Sequence, residues 1–182
     1  RGLPIREIPF FACPQISVAG GFTRFHSVRN ALDKVPDGAI VAVHDGVRPL
    51  VTPRLVRDMF EKAETVQSLV PVIPCTDTLK VLQKEGEELK TVEGVVADRS
   101  MLYAAQTPQI FHSEMLKSAY SLAYDTMFTD DASVMQKYGK SLSYMIGERL
   151  NIKITTQEDL LLAEAVMSQR YCKELTNKSF WF

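Results

Sequence analysis

Residues 41–52 read Val-Ala-Val-His-Asp-Gly-Val-Arg-Pro-Leu-Val-Thr, and this stretch decides how the rest of the chain is interpreted. It overlaps an apolar run over 39–43, which is typical of a strand buried on both faces in a parallel sheet. Asp45 and Arg48 follow, at the strand end where open α/β sheets bind their ligands. Thr52 before a proline then predicts a helix start. An acid and an arginine here suit a phosphorylated, metal-bearing ligand; the alternative is a turn in which both satisfy local backbone groups.

The length and composition exclude several classes of protein. With 182 residues, 46% hydrophobic and 24% charged, the chain fits one globular domain with a sizeable core. Its formal net charge of −1 argues against a nucleic-acid-binding protein, which would carry a basic field. The three cysteines lack metal-ligand spacing, which predicts a reduced, cytoplasmic protein. No apolar run approaches the ~18 residues that a membrane span needs.

The order of the first predicted elements gives the fold class. A strand over 15–19, a helix over 23–35, the strand over 39–43, a helix over 53–64 and a strand over 69–74 alternate with short connections. This alternation is the signature of an α/β fold with a doubly wound, mostly parallel sheet.

Residues 77–96 break the alternation. Two runs of mixed apolar and charged residues flank a turn at 85–88, which predicts an antiparallel hairpin with charged edges. Its apolar residues cannot all face one core, so we expect it to lie over a partner surface. The remaining predicted elements are a strand over 103–106, helices over 113–124 and 129–138, strands over 142–146 and 151–154, a helix from a capping box at Thr155 and Glu158 to about 170, and an aromatic tail over 177–182 that is either disordered or docked.

Seven short motifs occur in a fixed order along the chain. They are Gly20-Gly21 with Arg24 and Ser27; His44 to Pro49; Asp77 to Lys80; Asp98-Arg99; Thr107 to Phe111; Thr129 to Ser133; and Asn151 to Thr155. Each is weak by itself, but together they resemble the 2-C-methyl-D-erythritol 4-phosphate cytidylyltransferases of the non-mevalonate isoprenoid pathway, from residue 19 to about 170. The resemblance implies a Rossmann-like nucleotidyltransferase domain whose projecting β-arm, residues 77–98, clasps a second subunit in a homodimer.

The resemblance also implies roles for residues near the nucleotide. Gly21, Arg24 and Ser27 are expected in the cytidine and ribose pocket. Asp45 is expected beside Mg²⁺ and the nucleotide phosphates, with Arg48 next to it.

A second group of residues is implied at the acceptor. Arg99 resembles the arginine that holds the acceptor's phosphate in the site of the neighbouring subunit, and Lys153 the lysine that steers the attacking phosphate. Thr107 and Thr129 match hydroxyl residues that line the acceptor pocket. Phe22 departs from the acid that is common at its position in relatives. For each charged residue the alternative is an ordinary surface position.

The reaction that the resemblance implies is transfer of CMP from CTP to 2-C-methyl-D-erythritol 4-phosphate, with release of pyrophosphate. No covalent nucleophile is needed, so catalysis would consist of positioning and of neutralising phosphate charge with Arg99, Lys153 and Mg²⁺. Two alternatives stay open. One is a cytidylyltransferase for another polyol phosphate such as ribitol 5-phosphate, and the other is a noncatalytic dimer that binds sugar phosphate.

The family's glycine-rich loop, which wraps the CTP triphosphate, has no counterpart over 1–20, where Gly2 stands alone before Gly20. We therefore expect residues 1–182 to form one nucleotidyltransferase domain that starts after the first βα unit. Because that loop would neutralise charge on the leaving pyrophosphate, we expect these 182 residues alone to be inactive.

Overall fold

The computed structural model describes residues 16–178, with side chains described through residue 170. Residue 15 of the first predicted strand and the end of the predicted aromatic tail, 179–182, lie outside the described residues. The elements, in chain order, are α1 (Arg24–Leu32), β1 (Ile40–Val43), α2 (Pro53–Ala63), β2 (Ser68–Pro74), β3 (Leu82–Glu85), β4 (Glu88–Thr91), a 3₁₀ turn (Arg99–Met101), β5 (Tyr103–Ala105), β6 (Gln109–His112), α3 (Ser113–Ala119), α4 (Asp131–Lys137), β7 (Ser143–Ile146) and α5 (Gln157–Lys178).

The central sheet is built around β2. β6 and β5 lie along one edge of β2 and β7 along the other, since β7 shares Leu69 with β6 and Val72 with β5. β1 pairs with the outer side of β6. β1, β2 and β7 run in one direction, whereas β5 and β6 run in the opposite direction. The predicted α/β fold with β1 and β2 parallel is confirmed, but the sequence did not indicate that an antiparallel segment separates them.

Helices cover both faces of this sheet. Ile110 and Phe111 are neighbours on β6, and their side chains point to opposite faces, as successive strand residues do. Ile110 packs in a buried cluster with α2, through Met59 for example. Phe111 packs in a second cluster with α1, α3 and α4, whose members include Phe25. This two-sided burial is the doubly wound arrangement that the alternation predicted.

Three local predictions are wrong. β1 is not buried on both faces, because in the described residues it is an edge strand with Ala42 exposed. Residues 16–19 and 151–154 form no strand. The segment 151–154 is held by side chains and by one backbone bond from Ile154 N–H to the carbonyl of Val47, at 2.8 Å.

The helix starts follow from capping residues. Thr52 caps α2 by accepting a hydrogen bond from the backbone N–H of Leu55, as predicted. At α5 the capping pair is Thr156 and Asp159, one residue after the predicted positions. The Asp159 carboxylate accepts from Thr156 N–H and the Thr156 hydroxyl accepts from Asp159 N–H. Within residues 16–178, no helix combines the length and the apolar character needed to cross a bilayer.

The predicted hairpin is confirmed. β3 and β4 pair as a separate two-stranded sheet, from Leu82 opposite Thr91 to Glu85 opposite Glu88, and every residue of both strands is exposed. Gly86 in the turn has φ of +64°, a backbone conformation that favours glycine. The hairpin therefore projects from the domain, and its contact with a partner stays a prediction.

Candidate active site

Three cations surround the carboxylate of Asp45, two residues beyond the end of β1. The Nε atoms of Arg24 and Arg48 each lie 3.7 Å from one of its oxygens, and Lys153 Nζ lies at 3.4 Å. Arg24 comes from α1, Arg48 from the loop before α2, and Lys153 from the loop before α5. Four of the residues singled out in the sequence thus meet at one point, and a strand end is where they were expected to meet.

Thr107 fixes the backbone at this point. Its hydroxyl accepts a hydrogen bond from Asp45 N–H at 2.9 Å and lies 3.0 Å from His44 Nδ1. The peptide bond between Thr107 and Pro108 is cis. The hydroxyl joins the end of β1 to the segment between β5 and β6. It thereby fixes the backbone of Asp45, and with it the base of the Asp45 side chain.

A small cavity opens beside these residues. Its volume is about 160 Å³, and it is lined by Arg24, Asp45, Arg48, Ala105, Gln106, Thr107, Gln109, Thr129, Asp130 and Lys153. Thr129 and Asp130 also line a larger adjoining cavity of about 730 Å³, which is bordered by Met101, Tyr103, Tyr144 and Ile146. The predicted acceptor residues Thr107 and Thr129 therefore lie with the predicted nucleotide residues Arg24, Asp45 and Arg48.

Gly21 and Ser27 lie at the start of α1, outside the lining of the small cavity. The Ser27 hydroxyl accepts a hydrogen bond from Gly21 N–H and donates one to the carbonyl of Thr23, both at 3.0 Å. A Cβ on Gly21 would lie 2.3 Å from the Cβ of His26. Glycine is required here by this close approach, and Ser27 holds the loop in place.

Arg99 lies apart from the three cations. It belongs to the 3₁₀ turn, is absent from the lining of the small cavity, and donates from Nη1 to the carbonyl of Thr76 at 3.0 Å. In the described residues it thus lies outside the group around Asp45, and its expected role in a neighbouring subunit stays a prediction.

Two buried amides hold the loop that carries Lys153: Asn151, which begins the last of the seven motifs, and Gln106, which the sequence did not single out. Asn151 is fully buried, donates from Nδ2 to the carbonyl of Thr107 at 2.8 Å, and accepts at its own carbonyl from Arg48 Nη1 at 2.8 Å. Gln106 donates to the same Asn151 carbonyl at 3.2 Å. The Oδ1 atom of Asn151 is buried without a hydrogen-bond partner among the described residues. No local pattern distinguishes such amides from surface ones, because their burial depends on distant segments.

The guanidinium of Arg24 is held from behind by Asp131. Nη1 and Nη2 donate to the two carboxylate oxygens at 3.0 and 2.6 Å, and the hydroxyl of Tyr120 donates to the same carboxylate. Burial lowers the pKa of Arg24, but the bonds and the charge of Asp131 outweigh it, so that pKa is raised and the guanidinium stays charged. Burial, reinforced by the Asp131 charge, raises the pKa of the Tyr120 phenol, which therefore remains a donor.

Comparison with known proteins leads to the family that the seven sequence motifs resemble. The family model described as 2-C-methyl-D-erythritol 4-phosphate cytidylyltransferase matches residues 9–169. The chain belongs to this family. A Porphyromonas gingivalis member is 43% identical over 152 residues, which are 83% of this chain and 65% of the relative. A Phocaeicola vulgatus member is 42% identical over 161 residues, 88% of this chain and 70% of the relative.

The fold comparison leads to the same family. The crystal structure of the 2-C-methyl-D-erythritol 4-phosphate cytidylyltransferase from Thermus thermophilus has a TM-score of 0.72 and 34% identity, and the match covers 91% of this chain and 79% of that one. The chain thus spans 65% of the length of its Porphyromonas gingivalis relative and somewhat more of the Thermus thermophilus protein.

The Mg²⁺ that membership of the cytidylyltransferase family implies can be tested against the donors present. Among the described residues, no group of three or more His, Cys, Asp or Glu side chains is placed to hold a metal ion. Asp45 offers one carboxylate, 17% exposed, which lines the small cavity and has its ion-pair partners at 3.4–3.7 Å. Mg²⁺ commonly binds through one or two carboxylates together with substrate phosphates and water. The residues fit an ion that arrives with a nucleotide, and they do not form a metal site built by the protein alone.

Proposed function

We propose that this protein transfers CMP from CTP to 2-C-methyl-D-erythritol 4-phosphate and releases pyrophosphate. The observation that carries the proposal is the convergence of Arg24, Arg48 and Lys153 on Asp45 at a cavity also lined by Thr107 and Thr129. Family membership supports the choice of reaction, since the relatives carry this activity in their names.

The chemistry requires two anionic substrates to approach each other. An oxygen of the acceptor's phosphate forms a bond to the α-phosphorus of CTP, and the bond from that phosphorus to the bridging oxygen of pyrophosphate breaks in line. Both substrates are negatively charged, so fixed cations lower the barrier by offsetting their repulsion in the transition state. Arg48 is 12% exposed and anchored by Asn151, which suits a fixed charge beside the nucleotide phosphates.

Lys153 differs from the two arginines. Its side chain is 50% exposed and has the Asp45 ion pair as its contact, so it has freedom to move toward an incoming phosphate. We assign it, with Thr107 and Thr129, to the acceptor, and Gly21, Arg24, Ser27, Asp45 and Arg48 to the nucleotide. Mg²⁺, bound by Asp45 and the nucleotide phosphates, would supply further neutralisation of phosphate charge.

We further propose a homodimer in which the β3–β4 arm of one copy covers the other. Both strands of the arm are exposed along their whole length, and the larger cavity beside Thr129 is bordered by the exposed apolar side chains of Met101, Tyr103 and Ile146. Such a patch on an isolated chain is typical of an interaction surface. In this arrangement Arg99 would serve the site of the neighbouring copy.

The test is a pyrophosphate-release assay with CTP and Mg²⁺, run with 2-C-methyl-D-erythritol 4-phosphate and with ribitol 5-phosphate side by side, on a chain extended to the length of its relatives. Turnover with the first acceptor and a kcat/KM at least tenfold lower with the second is expected. The reverse preference would assign a different polyol phosphate. Binding of the sugar phosphate by calorimetry without any pyrophosphate release would replace the proposal with the noncatalytic alternative.

A further inference from the structure

We propose that Asp131 and Tyr120 are positioning residues that hold the Arg24 guanidinium in one orientation beside Asp45, and that nucleotide use at this site depends on that orientation. The effect on nucleotide use rests on the proposed function, whereas the positioning of Arg24 rests on geometry alone.

The first support is the way in which Arg24 is bound. Both terminal nitrogens donate to Asp131, so the planar guanidinium is held end-on, and its Nε edge is the part that faces Asp45 at 3.7 Å. A bidentate pair of this kind fixes direction as well as distance. The inward-pointing hydrogens of Nη1 and Nη2 are occupied, so Arg24 cannot grip a phosphate with its terminal fork. What it can offer the cavity is a fixed positive charge, its Nε–H and the outer hydrogen of each Nη atom.

The second support is the burial of the holding group. The Asp131 side chain has no exposed surface, whereas Arg24 is 35% exposed. A buried carboxylate is costly unless it is paired and hydrogen-bonded, and replacing a buried ion pair by well-packed hydrophobic residues of similar volume is often harmless to stability. Stability alone therefore does not explain an ionised acid at this position, and orientation of a half-buried arginine does.

The third support is that Asp131 is itself fixed relative to the sheet. Gln109 on β6 donates to the Asp130 carboxylate at 2.8 Å and accepts from Ala132 N–H at 2.9 Å, so the residues on both sides of Asp131 are tied to the strand. Tyr120 is tied as well, because its ring stacks on Phe25 with centroids 4.7 Å apart. The positive charge of Arg24 beside Asp45 is thus fixed relative to the core, because Asp131 and Tyr120 hold the guanidinium.

The variants that separate positioning from folding are Arg24→Gln, Asp131→Asn and the two together, each made in the extended chain used for the turnover test. In Asp131→Asn the amide nitrogen faces the guanidinium, so one of the two bonds is lost and Arg24 can turn. We expect kcat/KM for CTP to fall on the order of 10–100-fold, with the KM for the acceptor changed less than about twofold. Tyr120→Phe keeps the ring and removes the hydroxyl, and a fall of roughly 3–10-fold is expected.

The double variant is decisive because it is neutral. Arg24→Gln with Asp131→Asn leaves no buried charge unpaired, so its melting temperature should return close to that of the wild type, while kcat/KM for CTP stays as low as in Arg24→Gln alone. Asp58→Asn, which breaks the exposed pair of Asp58 with Arg54 on α2, is the control and should change neither quantity. If the double variant recovered both stability and kcat/KM, or if Asp131→Asn kept the wild-type kcat/KM, the positioning role would be overturned.

The orientation of Arg24 can also be measured by NMR in the absence of catalysis, which tests this inference separately from the proposed function. The Arg24 Nε–H resonance in ¹⁵N NMR should be sharp and slow to exchange in the wild type and broadened in Asp131→Asn. An unchanged resonance in the variant would overturn the positioning. Absence of CMP transfer in the extended wild-type chain, with the expected change in this resonance, would contradict the proposed function alone.

Discussion

Lys153 Nζ lies 3.4 Å from Asp45 Oδ2, although the two residues are far apart in the sequence. The lysine is half exposed and the aspartate is 17% exposed, so the pair sits at the mouth of the small cavity. An ion pair of this exposure contributes little to stability. Its value is therefore to keep a movable cation at the point where a second anionic substrate would enter.

In the chain extended to the length of its relatives, Lys153→Ala should impair use of the acceptor and spare the nucleotide. Loss of a charge-assisted contact to the attacking phosphate should cost roughly 2–4 kcal/mol of transition-state binding, seen as a higher acceptor KM or a lower kcat. Steady-state kinetics with each substrate varied in turn measure this. Lys117→Ala is the control, because Lys117 also pairs with an aspartate, Asp37, at 2.6 Å but lies on α3, outside the lining of both cavities. Weak CTP binding with normal use of the acceptor would contradict the assignment.

Arg99→Ala tests whether the site is shared between copies. If Arg99 serves the neighbouring copy, each single variant, Arg99→Ala or Lys153→Ala, should be nearly inactive as a homodimer. A mixed dimer of the two variants contains one site with neither defect. Equimolar mixing with subunit exchange should therefore restore roughly a quarter of the wild-type rate, since about half the dimers are mixed and each has one intact site. A mixture that stays as inactive as its components would place Arg99 in its own chain or outside the site.

Shortening the arm should distinguish its tip from its base. Deletion of residues 83–90 removes three of the four residue pairs of β3 and β4 and should leave the base of the arm paired. Because the removed residues are exposed in the single chain, we expect the domain to remain folded and the dimer to weaken. Deletion of the whole arm should give a folded monomer that no longer turns over. Light scattering and circular dichroism measure the two effects. A wild-type chain that is monomeric at micromolar concentration would remove both the clasp and the shared site.

Periodicity and capping residues predicted most of the helices and strands, because those signals are local. The strand expected over 151–154 failed for a physical reason: Asn151 satisfies its neighbours through a buried side-chain network instead of a ladder. The cavity residue Asp45 was identified from its position after a predicted strand, and Lys153 from the resemblance, but neither argument gives the contacts of these residues. Asp131 could be recognised only as an acid in the first turn of a helix. Its full burial and its bond to Arg24 depend on packing between α1 and α4.

Gly21→Ala should destabilise the start of α1. The added Cβ would meet the Cβ of His26 at 2.3 Å and its backbone carbon at 3.0 Å, so the helix start must shift. We expect the free energy of unfolding to fall by about 1–3 kcal/mol, measured by urea denaturation. Gly46→Ala is the matched control, because a Cβ there meets no heavy atom within 4 Å and its φ requires no glycine. Equal effects of the two substitutions would show that close approach at Gly21 is not what requires glycine.

Tyr120 should make the fold sensitive to alkaline pH in a defined direction. Burial, together with the nearby Asp131 charge, raises the pKa of its phenol in the folded protein, whereas in the unfolded chain the phenol titrates near its ordinary value of about 10. Below pH 10 the phenol is neutral in both states, and its contribution to stability is fully present. As pH rises above about 10, the unfolded chain releases a proton that the folded protein keeps, so the free energy of unfolding falls by up to about 1.4 kcal/mol per pH unit. Tyr120→Phe should remove this part of the slope, while Tyr138→Phe, at an exposed position on the C-terminal side of α4, should retain it. Urea denaturation at pH 9, 10 and 11 on the three proteins measures the difference, and parallel slopes for Tyr120→Phe and the wild type would show that the phenol titrates normally in the fold.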